Sequence, residues 1–242
     1  MTTAITGRID IVDGFDAFAA EAARRGWADG LPLVPPVDDL VAKFVAASGL
    51  GSEFVLGRLY PSGALCTVEL LAANTIMAGA PAEAMPLLCA AVSAVADPAF
   101  DLAGVNTTTA AVVPAFVVSG PVRDELEIPY AHSALGGVAC SAPAIGRALR
   151  LVMRNVAGQV AGTSSASVFG QPARVTGILT AEWEERSPWP SLGVRRGVNG
   201  SSVTAFGVMG TANIIDTLGT DGAEIIEVVG RSLALHGLEQ HG

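Results

Sequence analysis

The stretch SAPAIGRALRLVMRNV, residues 141–156, decides the fold class, because it is the clearest helix in the chain. Ser141 stands where a helix cap accepts backbone N–H groups, and Pro143 suits the first turn, whose N–H groups have no intrahelical partner. Working outward, AAVVPAFVVS at residues 110–119 reads as a buried strand stopped by Gly120 and Pro121. Residues 173–185 and 201–209 read as further strands, and 222–236 as a final helix. Towards the N-terminus, residues 12–25 form a short amphipathic helix with Phe15, Phe18, Ala19 and Ala22 on its inner face. LPLVPP at 31–36 is extended, since a residue before proline is pushed out of the helical region. A helix follows, capped by Asp38 or Asp39 and ended by Gly49 or Gly51. Residues 53–60 read as a strand, 67–79 as a helix capped by Thr67, and 82–96 as a helix that Pro86 shortens or bends. Helices and strands alternate, so the class is α/β or α+β, a mixed sheet with packed helices. The chain reads as a single domain over 1–242, with a division into two lobes, about 1–130 and 131–242, as the alternative.

Composition narrows the function. The chain has 242 residues, enough for a sizeable core; half are hydrophobic and only 15% are charged, against roughly 25% in an average globular domain. So little charge covers a monomer poorly, which predicts an oligomer. The net charge of −9 argues against nucleic acid and anionic membranes as partners. The N-terminus has no basic start and no apolar segment, and the apolar runs near 81–96 and 110–122 are interrupted by Pro86 and Pro114. They fall short of the roughly 20 residues of a membrane span. The expectation is a cytoplasmic protein. Cys66, Cys89 and Cys140 form no CxxC pair and are expected to be reduced thiols, and His132, His236 and His241 show no metal-ligand spacing.

Charge is concentrated in one place. Residues 182–196 hold three glutamates and three arginines. If 173–185 is a strand, Glu182 and Glu184 share a face, with Trp183 and Glu185 on the other. Two carboxylates about 7 Å apart can divide into acid and base, and Arg195 or Arg196 can grip a substrate carboxylate. The competing reading is a polar edge strand with surface ion pairs of little energetic weight.

Three other stretches carry candidate chemistry. In residues 133–150, Gly136 and Gly137 make a flexible turn and Cys140-Ser141 stands at the start of the strong helix. Unpaired N–H groups and the helix dipole favour an anion there and lower a thiol's pKa. The alternative is a small buried cysteine beside a cap. In VNTTTA, residues 105–110, Asn106 and Thr107 either hydrogen-bond a ligand or close a turn. GTSSAS, residues 162–167, is a Gly/Ser loop without the lysine of a phosphate loop.

Several stretches together resemble a bacterial family of domains that accompany proteins carrying the UGSC motif, in which U is selenocysteine. They are ADGLPLVPP (28–36), NTIMAGAP (74–81), DPAFDLAGVNTTTAAVVP (97–114), SGPVRDEL (119–126), IGRALRLVMRNV (145–156), FGQPAR (169–174) and AEWEERSPW (181–189). The likeness spans roughly residues 27–222. The UGSC segment is absent, Trp183 stands where the family pattern has Asn, and Gly193 where it has His. Relatives are expected to continue into a further strand–Gly-Pro segment beyond the position of Gly242. The resemblance implies no particular activity, but it marks 181–196 and 133–147 as functional surfaces.

The resulting expectation is an enzyme acting on a polar or anionic small-molecule substrate by acid–base chemistry of lyase, hydrolase or cyclase type, with no recognisable cofactor motif. Its candidate catalytic residues are Glu182, Glu184 and Cys140; its candidate binding residues are Arg195, Arg196, Gly136, Gly137, Ser141, Asn106 and Thr107. The alternative is a non-catalytic or half-site subunit of a hetero-oligomer, with another chain supplying the missing C-terminal part.

Overall fold

The computed structural model describes residues 8–11, 14–136 and 138–238. The chain divides into two compact units, Met1–Met209 and Gly210–Gly242. Among the described residues, the second unit holds one helix, Gly222–Leu238 (α10).

The first unit is an α/β structure built around a mixed three-stranded sheet. Val113–Ser119 (β3) lies at its centre, parallel to Ile178–Ala181 (β4) and antiparallel to Ser202–Val208 (β5). Six of the seven β3 residues, all but Val117, are buried, so the strand reads as a near-continuous apolar run, as a sheet centre should. Pro114 cannot donate to a ladder. It is tolerated because pairing with β4 begins one residue later, at Ala115 opposite Ile178.

Helices Val68–Met77 (α3), Met85–Ala96 (α4) and Ala142–Asn155 (α7) form the other half of the core. Thr67 caps α3 by accepting from Leu70 N at 3.3 Å. Pro86 stands at the second position of α4, so it opens that helix after a short 3-10 turn at Ala82–Ala84 and does not bend it. Leu71, Met85, Leu88, Val92, Val95, Ile145, Leu149 and Met153 are all essentially inaccessible. α7 packs on α3, α4 and β4, and α4 packs on β5.

Several expectations need correction. Phe15 opens Phe15–Arg24 (α1) but is exposed; only Phe18 and Ala22 are buried. Asp38 and Asp39 lie in the first turn of Asp38–Ser48 (α2), with Val37 at the cap and Gly49, at φ 70°, ending the helix. The strand expected at 53–60 is half of a hairpin, Val55–Leu59 (β1) with Ala64–Thr67 (β2). VNTTTA, residues 105–110, expected to contact a ligand or close a turn, begins inside the helix Leu102–Thr107 (α5), whose Gly104 N–H is accepted by Asp101 at 3.1 Å. The largest change is at 173–185. Pro172 starts a helical turn, Ala173–Thr176 (α8), Gly177 reverses the chain at φ 69°, and β4 ends at Ala181.

Gly146 and Gly177 let α7 and the α8–β4 connection touch backbone to backbone. A Cβ on Gly146 would sit 2.4 Å from Thr176 O, and one on Gly177 would sit 2.7 Å from Gly146 O. Helix propensity favours Gly146→Ala by about 1 kcal/mol, but overpacking a fixed contact costs about 1–3 kcal/mol or more. Gly146→Ala is therefore expected to lower the urea midpoint of unfolding. An unchanged or raised midpoint would show that the two backbones separate freely.

One buried ion pair fastens α7 to the N-terminal segment. Arg147 donates to Asp29 through Nε at 2.7 Å and Nη2 at 2.8 Å, with both side chains about nine-tenths buried. Burial pushes the Asp29 carboxyl up, but Arg147 and the Leu31 N–H outweigh it and leave its pKa lowered. A depressed folded-state pKa gives stability that is complete above the ordinary aspartate pKa of about 3.9 and is lost as pH falls through the folded value. Asp29→Asn should destabilise the protein at neutral pH, and the gap from wild type should close as urea titrations are repeated below about pH 4. A gap independent of pH would contradict this.

Candidate active site

The site is assembled at the C-terminal end of β3. Gly120, at φ 84°, turns the chain; a Cβ there would meet Gly200 O at 2.4 Å. Val122–Glu125 (α6) follows, Ile128 N returns to Arg123 O at 2.7 Å, and residues 128–130 run beside β4, with Pro129 O accepting from Ala181 N at 3.1 Å and Thr180 Oγ1 at 3.0 Å.

Glu182 and Glu184 converge on this turn, but not by strand alternation. Past Ala181 the chain leaves the sheet, and Glu184–Arg186 form a 3-10 turn. Glu182 accepts from the Ser119 hydroxyl and from Leu192 N at 2.8 Å. Leu192 is the first residue of Leu192–Arg195 (α9). Glu184 accepts from Gly120 N at 2.6 Å. Both carboxylates thus hold N–H and O–H groups of their own chain. The substrate grip expected of Arg195 and Arg196 is not formed around them: both are exposed and make no ion pair with a described residue.

Arg123, which the sequence reading passed over, organises the region. It is 5% exposed. Its Nη1 donates to Glu182 O at 2.6 Å and to Glu185 at 3.1 Å, its Nη2 donates to the other Glu185 oxygen, and its guanidinium lies 4.6 Å from the Tyr130 ring centre. Burial works against the Arg123 charge, but Glu185, Glu184 and Asp124 outweigh it and raise its pKa; Arg123 in turn lowers that of Glu185.

Arg123 forms one wall of a surface cleft of about 380 Å³ that also takes in Asp124, Glu127, Tyr130, His132 and Val138. This is within the size range of small-molecule sites. Asp124 raises the Tyr130 phenol by hydrogen bonding and then by charge, against the pull of Arg123. One cleft therefore presents a phenol held in its neutral form, an imidazole and two carboxylates. The signal was present in the sequence: RDELE, residues 123–127, carries four charges in five residues.

The other candidate residues are spread out. Cys140 is half-buried just before α7. Ser141 occupies the cap position, but its hydroxyl donates to Leu126 O at 2.9 Å and does not cap the helix. Gly136, at φ 146°, is exposed in a turn; Gly137 lies outside the described residues. Asn106 is fully buried and donates to Tyr60 O at 2.7 Å, while Thr107 is exposed and donates to Ala103 O at 2.8 Å. Both serve the fold and neither reaches the cleft. Among the described residues, no three His, Cys, Asp or Glu side chains come close enough to hold a metal ion. Among the described residues, no helix is long and apolar enough to cross a membrane.

Comparison of the chain with protein-family models, curated proteins and solved structures finds no match.

Two of the three thiols lie in the core. Burial pushes Cys66 up to about 12 and Cys89 up to about 11. At pH 8 their reactive thiolate fractions fall to roughly 0.01% and 0.1%. Iodoacetamide labelling with peptide mapping should modify Cys140 first and the other two only on unfolding. Labelling of Cys89 at an equal rate would contradict the burial argument.

Proposed function

We propose that the chain is an enzyme that acts on a polar small molecule by acid–base chemistry, of lyase, hydrolase or cyclase type, in the Arg123–Tyr130–His132 cleft. The observation that carries this is Tyr130, a phenol set between the Arg123 guanidinium and the Asp124 carboxylate in a ligand-sized cleft. Asp124 keeps its proton in place, so Tyr130 is the acid or hydrogen-bond donor. His132 is the base, since imidazole is the commonest proton acceptor in such sites. Arg123 is a positioning residue: Glu185 and Glu182 O fix its orientation, and its guanidinium stacks on the ring that carries the reactive hydroxyl. Glu182 and Glu184 support this arrangement from behind by holding Ser119, Gly120 and Leu192 in place.

A second reading is a subunit of a larger assembly in the cytoplasm, made with further copies of the chain or with a different chain. It is favoured by Val168 and Phe169, which are 87% and 98% exposed in the first unit. Apolar side chains so open to water, on a chain with so little charge, suit an interface that buries more than about 2,000 Å².

A metabolite screen by thermal shift tests the enzyme reading. A compound that raises the melting temperature of the wild type should lose its effect in Tyr130→Phe and His132→Ala and keep it in Arg195→Ala. Where turnover of that compound is detected, loss of either proton carrier should slow it about 100-fold or more. A ligand whose binding and turnover ignore both cleft substitutions would place the chemistry elsewhere. Light scattering separates the second reading: a stable monomer that turns over substrate excludes it.

A further inference from the structure

A second cluster of buried charge shares no residue with the cleft. Arg150 on α7 is 7% exposed. Its Nη2 donates to Gln159 Oε1 and its Nε to Arg174 O at 3.2 Å, while Nη1 is buried without a protein partner. Arg174 on α8 is half-buried. Its Nη1 donates to Ser165 Oγ at 2.7 Å and its Nη2 to Val112 O at 3.2 Å, while Nε is likewise buried without a partner. Every acceptor in this set is a neutral oxygen. Among the described residues, neither guanidinium has a carboxylate within 4.0 Å.

That pattern differs from the other buried arginines. Arg147, one turn earlier on the same helix, meets Asp29, and Arg123 meets Glu185. Where this fold buries a guanidinium for support, it supplies an acid. A buried cation beside a half-buried one, with no acid between them, is costly, because desolvation and mutual repulsion both oppose it. Both effects are visible: burial and then the Arg174 charge lower Arg150 to about 10, and burial lowers Arg174.

We infer that Arg150 and Arg174, with Ser165, form a binding site for a small oxyanion, a phosphate or carboxylate group, beneath the loop of residues 158–170. A guanidinium fork matches the oxygens of such groups and recognises them better than any neutral oxygen. The donors belong to one connected hydrogen-bond chain, from Arg150 Nε to Arg174 O and from Arg174 Nη1 to Ser165 Oγ. Arg150 Nη1 and Arg174 Nε remain for the ligand. Ser165, 3% exposed, accepts from Arg174 and donates to no described group, so its hydroxyl proton is a third donor. Ala161, Gly162 and Thr163 of the loop are exposed, Ser164 and Arg174 are half-buried, and Arg150 is buried.

The test is isothermal titration of the full chain with inorganic phosphate and, separately, with acetate, at constant ionic strength set by chloride. Wild type should bind at least one of the two saturably, one site per chain, with a matching rise in melting temperature. Arg174→Gln should weaken that binding at least about tenfold, as loss of a charge-assisted pair does, whereas Arg195→Gln, an exposed arginine, should not. Ser165→Ala, which keeps both cations, should weaken it less; it is the variant to read if Arg174→Gln does not fold. Phosphate binding without acetate binding identifies a phosphorylated ligand, and binding of both identifies the shared oxyanion chemistry. No saturable binding of either anion overturns the proposal, and so does binding that Ser165→Ala and Arg174→Gln leave unchanged. If neither anion binds while Arg174→Gln alters the mass by light scattering, the two charges face a neighbouring chain and the proposal fails. Cleft variants such as Tyr130→Phe do not enter this test, so its outcome is independent of the catalytic reading.

Discussion

The burial of α7 on nearly every side is the constraint on which the rest of the first unit depends. A helix that carries Arg147 and Arg150 among Ile145, Leu149 and Met153 cannot be buried by apolar packing alone. Asp29 is brought to Arg147 across 118 residues of sequence, and this fixes the extended segment before α2. Gly146 removes the side chain that would hold off Thr176 and Gly177, so β4 starts directly against the helix. Because β4 is parallel to β3, placing its start also places its end, and that end is where the site is built.

From there each step follows from an unmet hydrogen bond. β3 stops at Ser119, and Gly120 turns the chain with its N–H pointing away from the sheet. Glu184 takes that N–H and Glu182 takes the Ser119 hydroxyl. The departure of 182–186 from the strand thereby becomes a clamp on the turn. The same departure exposes the carbonyl of Glu182 to Arg123 and brings Glu185 to its other side. Held on both flanks, the Arg123 guanidinium offers its face to Tyr130. The acids that looked catalytic in the sequence are the reason the cleft has a fixed wall.

What the sequence made legible was local. The early Pro of α7, the Thr67 cap of α3 and the apolar run of β3 each rest on neighbouring residues, and each holds; the Ser141 cap does not, because its hydroxyl is drawn to Leu126 O. The helix over 142–156 ends one residue earlier than expected, within the ordinary uncertainty of helix ends. Errors arose where a local signal was overridden or misjudged. Pro172 and Gly177 break the supposed strand at 173–185, and a stop signal of that kind was available. Phe15 has the right spacing for the inner face of α1, yet it is exposed. Spacing shows which residues share a face and cannot show how far the neighbouring core extends. The site was half legible. Charge density led to 182–196, behind the cleft, while the charges of RDELE at 123–127 were not singled out. That Arg123 and Glu185 form a pair is a fact of sheet register, and no spacing within either segment encodes it.

The treatment of charge gives the chain its most informative asymmetry. With 23 acidic residues against 14 basic ones, carboxylates are in excess, so a buried arginine has many possible partners. Arg123 and Arg147 each have one at hydrogen-bonding distance. Arg150 and Arg174 have only a side-chain amide, a hydroxyl and two carbonyls. Scarcity of acid does not explain the difference, nor does exposure, since Arg150 is as buried as Arg123 within two per cent. Neutral acceptors orient a guanidinium without cancelling its charge. An oriented, uncancelled cation keeps its attraction for an anion in a low-dielectric interior, where that attraction is strongest. The fold therefore treats its buried arginines in two ways, closing the charge of one pair for rigidity and leaving the charge of the other pair open.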